Sequence, residues 1–179
     1  MYMEELTKEL QNLRFNKSNG RRQSIGRTAS ERNEKPRYYF VSGLIRNYKG
    51  IWCEETKTNV KQIQVSRATY YPKNQRVIQL AEEFMAKYDP EFEYTSIQFN
   101  KNICTEKHKD RNNIGESYIV SLGSFTGGEL RVYHGEDTYD IDIHEKPYKF
   151  DAGNVYHETC QWTGGDRYSI TWFKIKPYD

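Results

Sequence analysis

The chain has four histidines in 179 residues, and one of them, His108, stands two positions before Asp110 in the polar run TEKHKDRNNIGES, residues 105–117. Residues i and i+2 of an extended chain project to the same side, so an imidazole and a carboxylate in this spacing can face one ion together. One more imidazole from elsewhere would complete two histidines and a carboxylate on a single face of an octahedron. That set suits Fe(II) when the iron must also bind a chelating co-substrate and O2. The candidates for the distant ligand are His134, His144 and His157.

The residue ten positions beyond each histidine separates them. A 2-oxoglutarate co-substrate needs a cation for its distal carboxylate, and a planar guanidinium meets that carboxylate with two hydrogen bonds. Ten residues after His157 comes Arg167, with Ser169 two further along on the same strand face. Ten after His134 is His144, and ten after His144 is Asn154, neither of which is such a base. His157 also comes after a glycine turn, in FDAGNVYHETCQW, whereas His134 sits in the turn-like HGED and His144 in IDIHEKP, shortly before a proline. The expected iron ligands are therefore His108, Asp110 and His157.

Strands must bring these residues together. From Glu93 onward the sequence reads as seven short strands, EYTSIQFN, ESYIVSLG, GELRVYHG, DTYDIDI, PYKFDAG, NVYHETC and DRYSITWFKI, punctuated by Gly, Asp and Pro. Such a run predicts a two-sheet antiparallel sandwich or jelly roll. Upstream, residues 3–14 predict a short helix. RYYFVSGLIR and GIWCEE predict two strands around a hairpin at Asn47–Gly50. NQRVIQLAEEFMAKY carries Val77, Leu80, Ala81, Phe84, Met85 and Tyr88 at helical spacing, with Asn74 as a possible N-cap. The expected fold is α+β, one domain over residues 1–179. Its double-stranded β-helix (jelly-roll) core spans residues 93–175, its N-terminal helices pack outside, and residues 1–35 form a basic extension.

Composition limits the function classes. With 36% hydrophobic and 29% charged residues, no stretch approaches the ~20 apolar residues that span a bilayer. The opening MYMEELTKEL has no apolar stretch of the kind a secretory signal needs. Cys53, Cys104 and Cys160 are odd in number and scattered, which suits a reducing compartment. An intracellular protein of the cytoplasm or nucleus is expected. From Leu10 to Ser30 there are five bases, Arg14, Lys17, Arg21, Arg22 and Arg27, and no acid. This is either a solvated tail or an arm that meets phosphates. Tyr38, Tyr39, Tyr70 and Tyr71 offer stacking faces for bases, or core packing.

HKDRNNIGESYIVSLGSFTGGEL, FDAGNVYHETCQWTGGDRYSITWF and the preceding EYTSIQFN resemble the 2-oxoglutarate- and Fe(II)-dependent dioxygenase superfamily, from about Tyr94 to Phe173. Within it they look most like the TET/JBP branch, which oxidises the 5-methyl group of pyrimidines in nucleic acid. The features that point to the branch are the HxDxxN run from His108 to Asn113, Gly115-Glu116-Ser117, and Gly127-Gly128. The resemblance implies His108, Asp110 and His157 as metal ligands, Arg167 as the 2-oxoglutarate anchor and Ser169 as its assistant. It implies that Asn100 and Asn113 look into the cavity, where an amide can read a base edge or hold 2-oxoglutarate. Either asparagine could equally close a loop through its backbone. The implied reaction consumes O2 and hydroxylates thymine or 5-methylcytosine in DNA.

Three other readings compete. Cys104, His108, His157 and Cys160 could form a structural zinc site in a nucleic-acid-binding module. Residues three apart on a strand face opposite ways, however, and that reading leaves Asp110 and Arg167 unexplained. A protein (prolyl-type) hydroxylase would use the same triad on the same fold. A basic nucleic-acid-binding module with a non-catalytic metal is the third.

Overall fold

The computed structural model describes residues 2–18 and 37–178. Most of the basic segment, including Arg21, Arg22 and Arg27, lies outside the described residues. Two helices, α1 (Tyr2–Asn12) and α2 (Gln75–Tyr88), precede most of the strands. Leu6 and Leu10, one helical turn apart, are the buried residues of α1. In α2 the buried positions are Val77, Ile78, Leu80, Ala81, Phe84 and Met85, a 3.6-residue stripe that has to be covered by another layer.

That layer is a seven-stranded antiparallel sheet. Along it lie β1 (Lys17–Ser18), β2 (Arg37–Cys53), β4 (Ser96–Lys101), β10 (Trp162–Phe173), β5 (Ser117–Gly127) and β8 (Tyr148–Phe150), with β3 (Thr58–Val65) paired to the far part of β2. Side chains alternate across a strand, and the sequence uses that alternation throughout. Ile97 and Phe99 of β4, Tyr118, Val120 and Leu122 of β5, and Tyr168, Ile170 and Trp172 of β10 share one core cluster with the helices. Trp172 donates its indole N–H to the Ala81 carbonyl at 3.2 Å, which satisfies the one polar atom of a fully buried ring. Residues between these, including Arg167, Ser169 and Thr171, belong to the opposite face. There a second, three-stranded sheet, β7 (Asp137–Ile141), β6 (Leu130–His134) and β9 (His157–Thr159), closes a smaller core of Leu130, Val132, Ile143, Phe150 and Ala152. The result is a two-sheet antiparallel sandwich with its helices outside, as expected, and all seven strands expected after Glu93 are present.

Two local expectations are corrected. The segment Asn47–Gly50 is not a hairpin turn. β2 continues through it, and the pairing with β3 shifts register between Asn47 and Ile51. The turn chemistry is real but serves a bulge: Asn47 Oδ1 accepts the backbone N–H groups of Lys49 and Gly50, both at 3.2 Å. The chain reverses later, between Cys53 and Thr58. Asn74 does not cap α2 with its side chain. It is buried, and its Nδ2 donates to the Ala68 carbonyl at 3.0 Å, holding the preceding turn.

Gly43 marks where β2 leaves β4 and begins to pair with β3. Its φ is +94°, and a Cβ there would lie 2.3 Å from the Thr95 carbonyl oxygen, so no side chain fits.

Candidate metal centre and its cavity

β9 starts at His157, and the segment carrying His108 lies directly against it. The two residues exchange both backbone hydrogen bonds, His108 N–H to His157 O and His157 N–H to His108 O, each 3.0 Å. His108 is therefore not in a strand, as its spacing from Asp110 suggested. It forms an isolated antiparallel bridge, whose extended geometry still lets His108 and Asp110 point together. Asp110 is fixed by its own N–H, which donates to the Ala152 carbonyl at 2.8 Å.

The side chains converge. His108 Nε2 lies 3.1 Å from Asp110 Oδ1, and His157 Nε2 lies 3.7 Å from Asp110 Oδ2. One ligand atom from each of the three residues lies within 4.8 Å of the others. The opposite ring nitrogens fix the tautomers. His108 Nδ1 is 2.5 Å from the Glu106 carbonyl oxygen and His157 Nδ1 is 2.8 Å from that of Val155. A carbonyl can only accept, so Nδ1 carries the proton in each ring and Nε2 presents a lone pair. Burial depresses the pKa of His157, with Asp110 opposing the shift, which favours the neutral ring a metal requires. Two lone-pair nitrogens and a carboxylate facing one point repel one another unless a cation sits among them. The donor set fits a divalent metal of the Fe(II) type.

His134 and His144 stay apart from this cluster. His144 Nε2 approaches the Gly123 carbonyl at 2.8 Å, and the His134 ring packs by Tyr139. Neither Cys104 nor Cys160 joins the three ligands among the described residues. Cys104 Sγ instead lies 3.4 Å from the Thr159 carbonyl oxygen.

A cavity of about 350 Å³ opens on the triad, and Gln98, Asn100, Arg167 and Ser169 line it too. β4 and β10 supply these four from same-face positions, in the register that pairs Ser169 with Asn100. Arg167 is 3% exposed. Its Nε and Nη2 donate to a single acceptor, the Gly128 carbonyl oxygen, at 3.2 and 2.8 Å. The guanidinium carbon sits 5.7 Å from the Phe125 ring centre and 5.5 Å from that of Trp162. Burial pulls its pKa down to about 10, still far above neutrality. No carboxylate pairs with it among the described residues. Glu129 acts on it through its charge without a direct ion pair. Burying a guanidinium is costly, and an anionic ligand in the adjoining cavity would offset more of that cost.

Gly128 makes the arrangement possible. With φ at +70°, it offers its carbonyl where a Cβ would lie 2.7 Å from Arg167 Nε. The sequence shows Gly127-Gly128 but not this contact, because the pair is distant in the chain from Arg167. Ser169 accepts from Asn100 Nδ2 at 3.1 Å, and Asn100 Oδ1 accepts from Gln98 Nε2 at 2.8 Å. Motif reading misses Gln98, although its place two residues before Asn100 on a strand puts it on the same face. Asn113 lines the cavity as well, while its backbone N–H closes the turn onto the Asp110 carbonyl at 2.9 Å.

No protein-family model and no curated protein sequence matches the chain. Its fold is similar to those of a solved 2OG-Fe(II) oxygenase family protein and of NgTET1. An oxidoreductase of the 2OG-Fe(II) oxygenase family from Burkholderia pseudomallei aligns with a TM-score of 0.54 at 16% identity, over 95% of this chain and 75% of that one. NgTET1, in a complex with 5mC DNA, aligns with a TM-score of 0.58 at 13% identity, over 97% of this chain and 67% of that one. Among the described residues no helix is long and apolar enough to cross a membrane.

Proposed function

We propose that this chain is a 2-oxoglutarate- and Fe(II)-dependent dioxygenase that hydroxylates the 5-methyl group of a pyrimidine, thymine or 5-methylcytosine, in DNA. The observation that carries the oxygenase reading is the juxtaposition in one cavity of a His108, Asp110, His157 donor set and the buried Arg167 guanidinium. A metal site alone would not need a buried cation. A carboxylate-bearing co-substrate that also binds the metal needs both.

When bound, iron and 2-oxoglutarate supply the oxidation, in which O2 gives one oxygen atom to succinate and the other to a substrate C–H bond, with release of CO2. The chain's own residues supply placement. His108 and His157 would hold the metal through Nε2, each ring locked by its Nδ1–H, and Asp110 would add the negative charge. Arg167 would take the distal carboxylate, held in line by Gly128 and the two flanking rings. Ser169, Asn100 and Gln98 form a hydrogen-bonded row beside it that fixes which polar groups face the co-substrate. None of these residues has to give or take a proton.

The substrate reading draws on different support. Lys109 and Arg111 line the cavity, and among the described residues Asp110 is its one acidic lining residue, so the cavity favours an anionic substrate. The similarity in fold to a protein solved with 5mC DNA agrees with this. Nucleoside mass spectrometry after incubation with methylated and unmethylated DNA, Fe(II), 2-oxoglutarate and O2 tests it. The expected result is a hydroxymethyl pyrimidine that depends on all three additions. Succinate formation driven by a proline-containing peptide, with unmodified nucleosides, would replace DNA by protein as the substrate.

A further inference from the structure

Beside the metal cavity lies a larger one, of about 680 Å³, and the two share Asn112, Asn113 and Phe173 as lining residues. Its lining includes Arg46, Arg67 and Lys73 and, among the described residues, no acidic one. None of the three cations pairs with a carboxylate among the described residues. Arg46 donates to Asn112 Oδ1 at 3.1 Å, and Lys73 donates to the Arg14 carbonyl and to Asn16 Oδ1 at 2.7 and 2.8 Å. These acceptors are neutral, so they do not themselves cancel the positive charge. Arg67 and Lys73 are exposed, and so is Tyr71, at 40%. Tyr39 adds a second phenol to the lining.

The wall that carries these groups is pinned. Gly43 N–H donates to Thr69 Oγ1 at 2.9 Å, and Gln75 Nε2 donates to the carbonyls of Thr69 and Tyr71 at 2.8 and 3.0 Å. The groove is therefore preformed, which lowers the ordering cost of binding.

We infer that this groove is a subsite for an unpaired polynucleotide strand, which lies along it beside the nucleotide that reaches the metal cavity. Cations that track a backbone, together with aromatic faces on which bases stack, are the combination single strands use. A closed duplex would offer the cations its phosphates but no free base face to the exposed Tyr71 ring, because its bases already stack on one another. An acidic peptide would satisfy the cations alone. The inference rests on the oxygenase reading for the fate of the base at the metal, but occupancy of the groove is measurable without metal.

The test is fluorescence anisotropy with metal-free protein and labelled oligothymidylate, alone or annealed to oligoadenylate. Single strand is expected to bind at least about tenfold tighter than the duplex. Tyr71→Ala is expected to weaken single-strand binding roughly five- to hundredfold, and Tyr71→Phe to retain it, since the ring and not the hydroxyl stacks. Arg67→Ala should reduce the slope of log affinity against log salt by about 0.7. Circular dichroism of each variant checks that it is folded. Equal or tighter duplex binding, an unchanged affinity in folded Tyr71→Ala, or competition by polyglutamate as effective as by oligothymidylate would overturn the inference. Strand binding without any 2-oxoglutarate turnover would sink the oxygenase reading and leave the groove standing. Turnover without strand preference would do the reverse.

Discussion

Arg167 concentrates the chemistry of the site in one side chain. Its guanidinium is buried near the Phe125 and Trp162 rings, donates to the Gly128 carbonyl and lines a cavity that also holds the three donor residues. If it receives a carboxylate through two parallel hydrogen bonds, a point charge cannot replace it. Arg167→Lys should lose roughly 1.5–3 kcal/mol of that contact, a ten- to hundredfold rise in the 2-oxoglutarate concentration needed. Fe(II) binding should be nearly unchanged, because the ligands lie on other segments. Succinate assays against 2-oxoglutarate concentration, beside iron titration, check both halves. Gly128→Ala approaches the same anchor from the other side. The new methyl group and the positive φ would push the guanidinium out of line, so the KM for 2-oxoglutarate should rise while iron affinity holds. An unaltered KM would show that Arg167 can shift without consequence.

At the scale of elements, β10 does two jobs by alternation. Tyr168, Ile170 and Trp172 anchor it to the helices, and Arg167, Ser169 and Thr171 line the cavity. The helices are therefore part of the site's foundation, α1 included, although its sequence falls in the stretch expected as an extension. Leu10 of α1 is fully buried, so Leu10→Ala should cost about 2–5 kcal/mol, read as a lower urea midpoint. Short strand-like runs punctuated by Gly, Asp and Pro made β4 to β10 legible in the sequence, and the ten-residue step from His157 to Arg167 selected the histidine that the structure places by Asp110. Less legible were features set by contacts distant in the chain. The bulge at Asn47–Gly50 uses the same residues as a hairpin turn, and only pairing with β3 distinguishes them. Asn74 has the residue type of a cap but turns inward to Ala68. The grip of Gly128 on Arg167 spans two strands, and no local pattern encodes it.

At the scale of the molecule, the core that supports the site also carries a pH response. Tyr118 of β5 donates to Asp89, just past α2, at 2.8 Å. Burial, followed by that hydrogen bond, pushes its pKa up to about 12. In the unfolded chain a tyrosine ionises near ~10. The folded state thus holds this proton more tightly, and the resulting stability is complete below pH ~10 and disappears as pH rises towards about 12. Urea midpoints should fall across that window, and Tyr118→Phe should flatten the fall while lowering stability at neutral pH by the lost hydrogen bond. An equally steep alkaline loss in Tyr118→Phe would assign the response to other groups.

The central claim is that one cavity holds Fe(II) on His108, Asp110 and His157 together with 2-oxoglutarate on Arg167. Anaerobic titration of the protein with Fe(II) and then 2-oxoglutarate, followed by visible absorption, tests it most directly. A weak visible charge-transfer band should appear only when both are present. It should be lost in Asp110→Ala, should demand far more 2-oxoglutarate in Arg167→Lys, and should persist in Cys160→Ala. No band in the wild-type protein, or metal retained by Asp110→Ala and released by Cys160→Ala, would contradict the claim and point to a zinc site built on the cysteines.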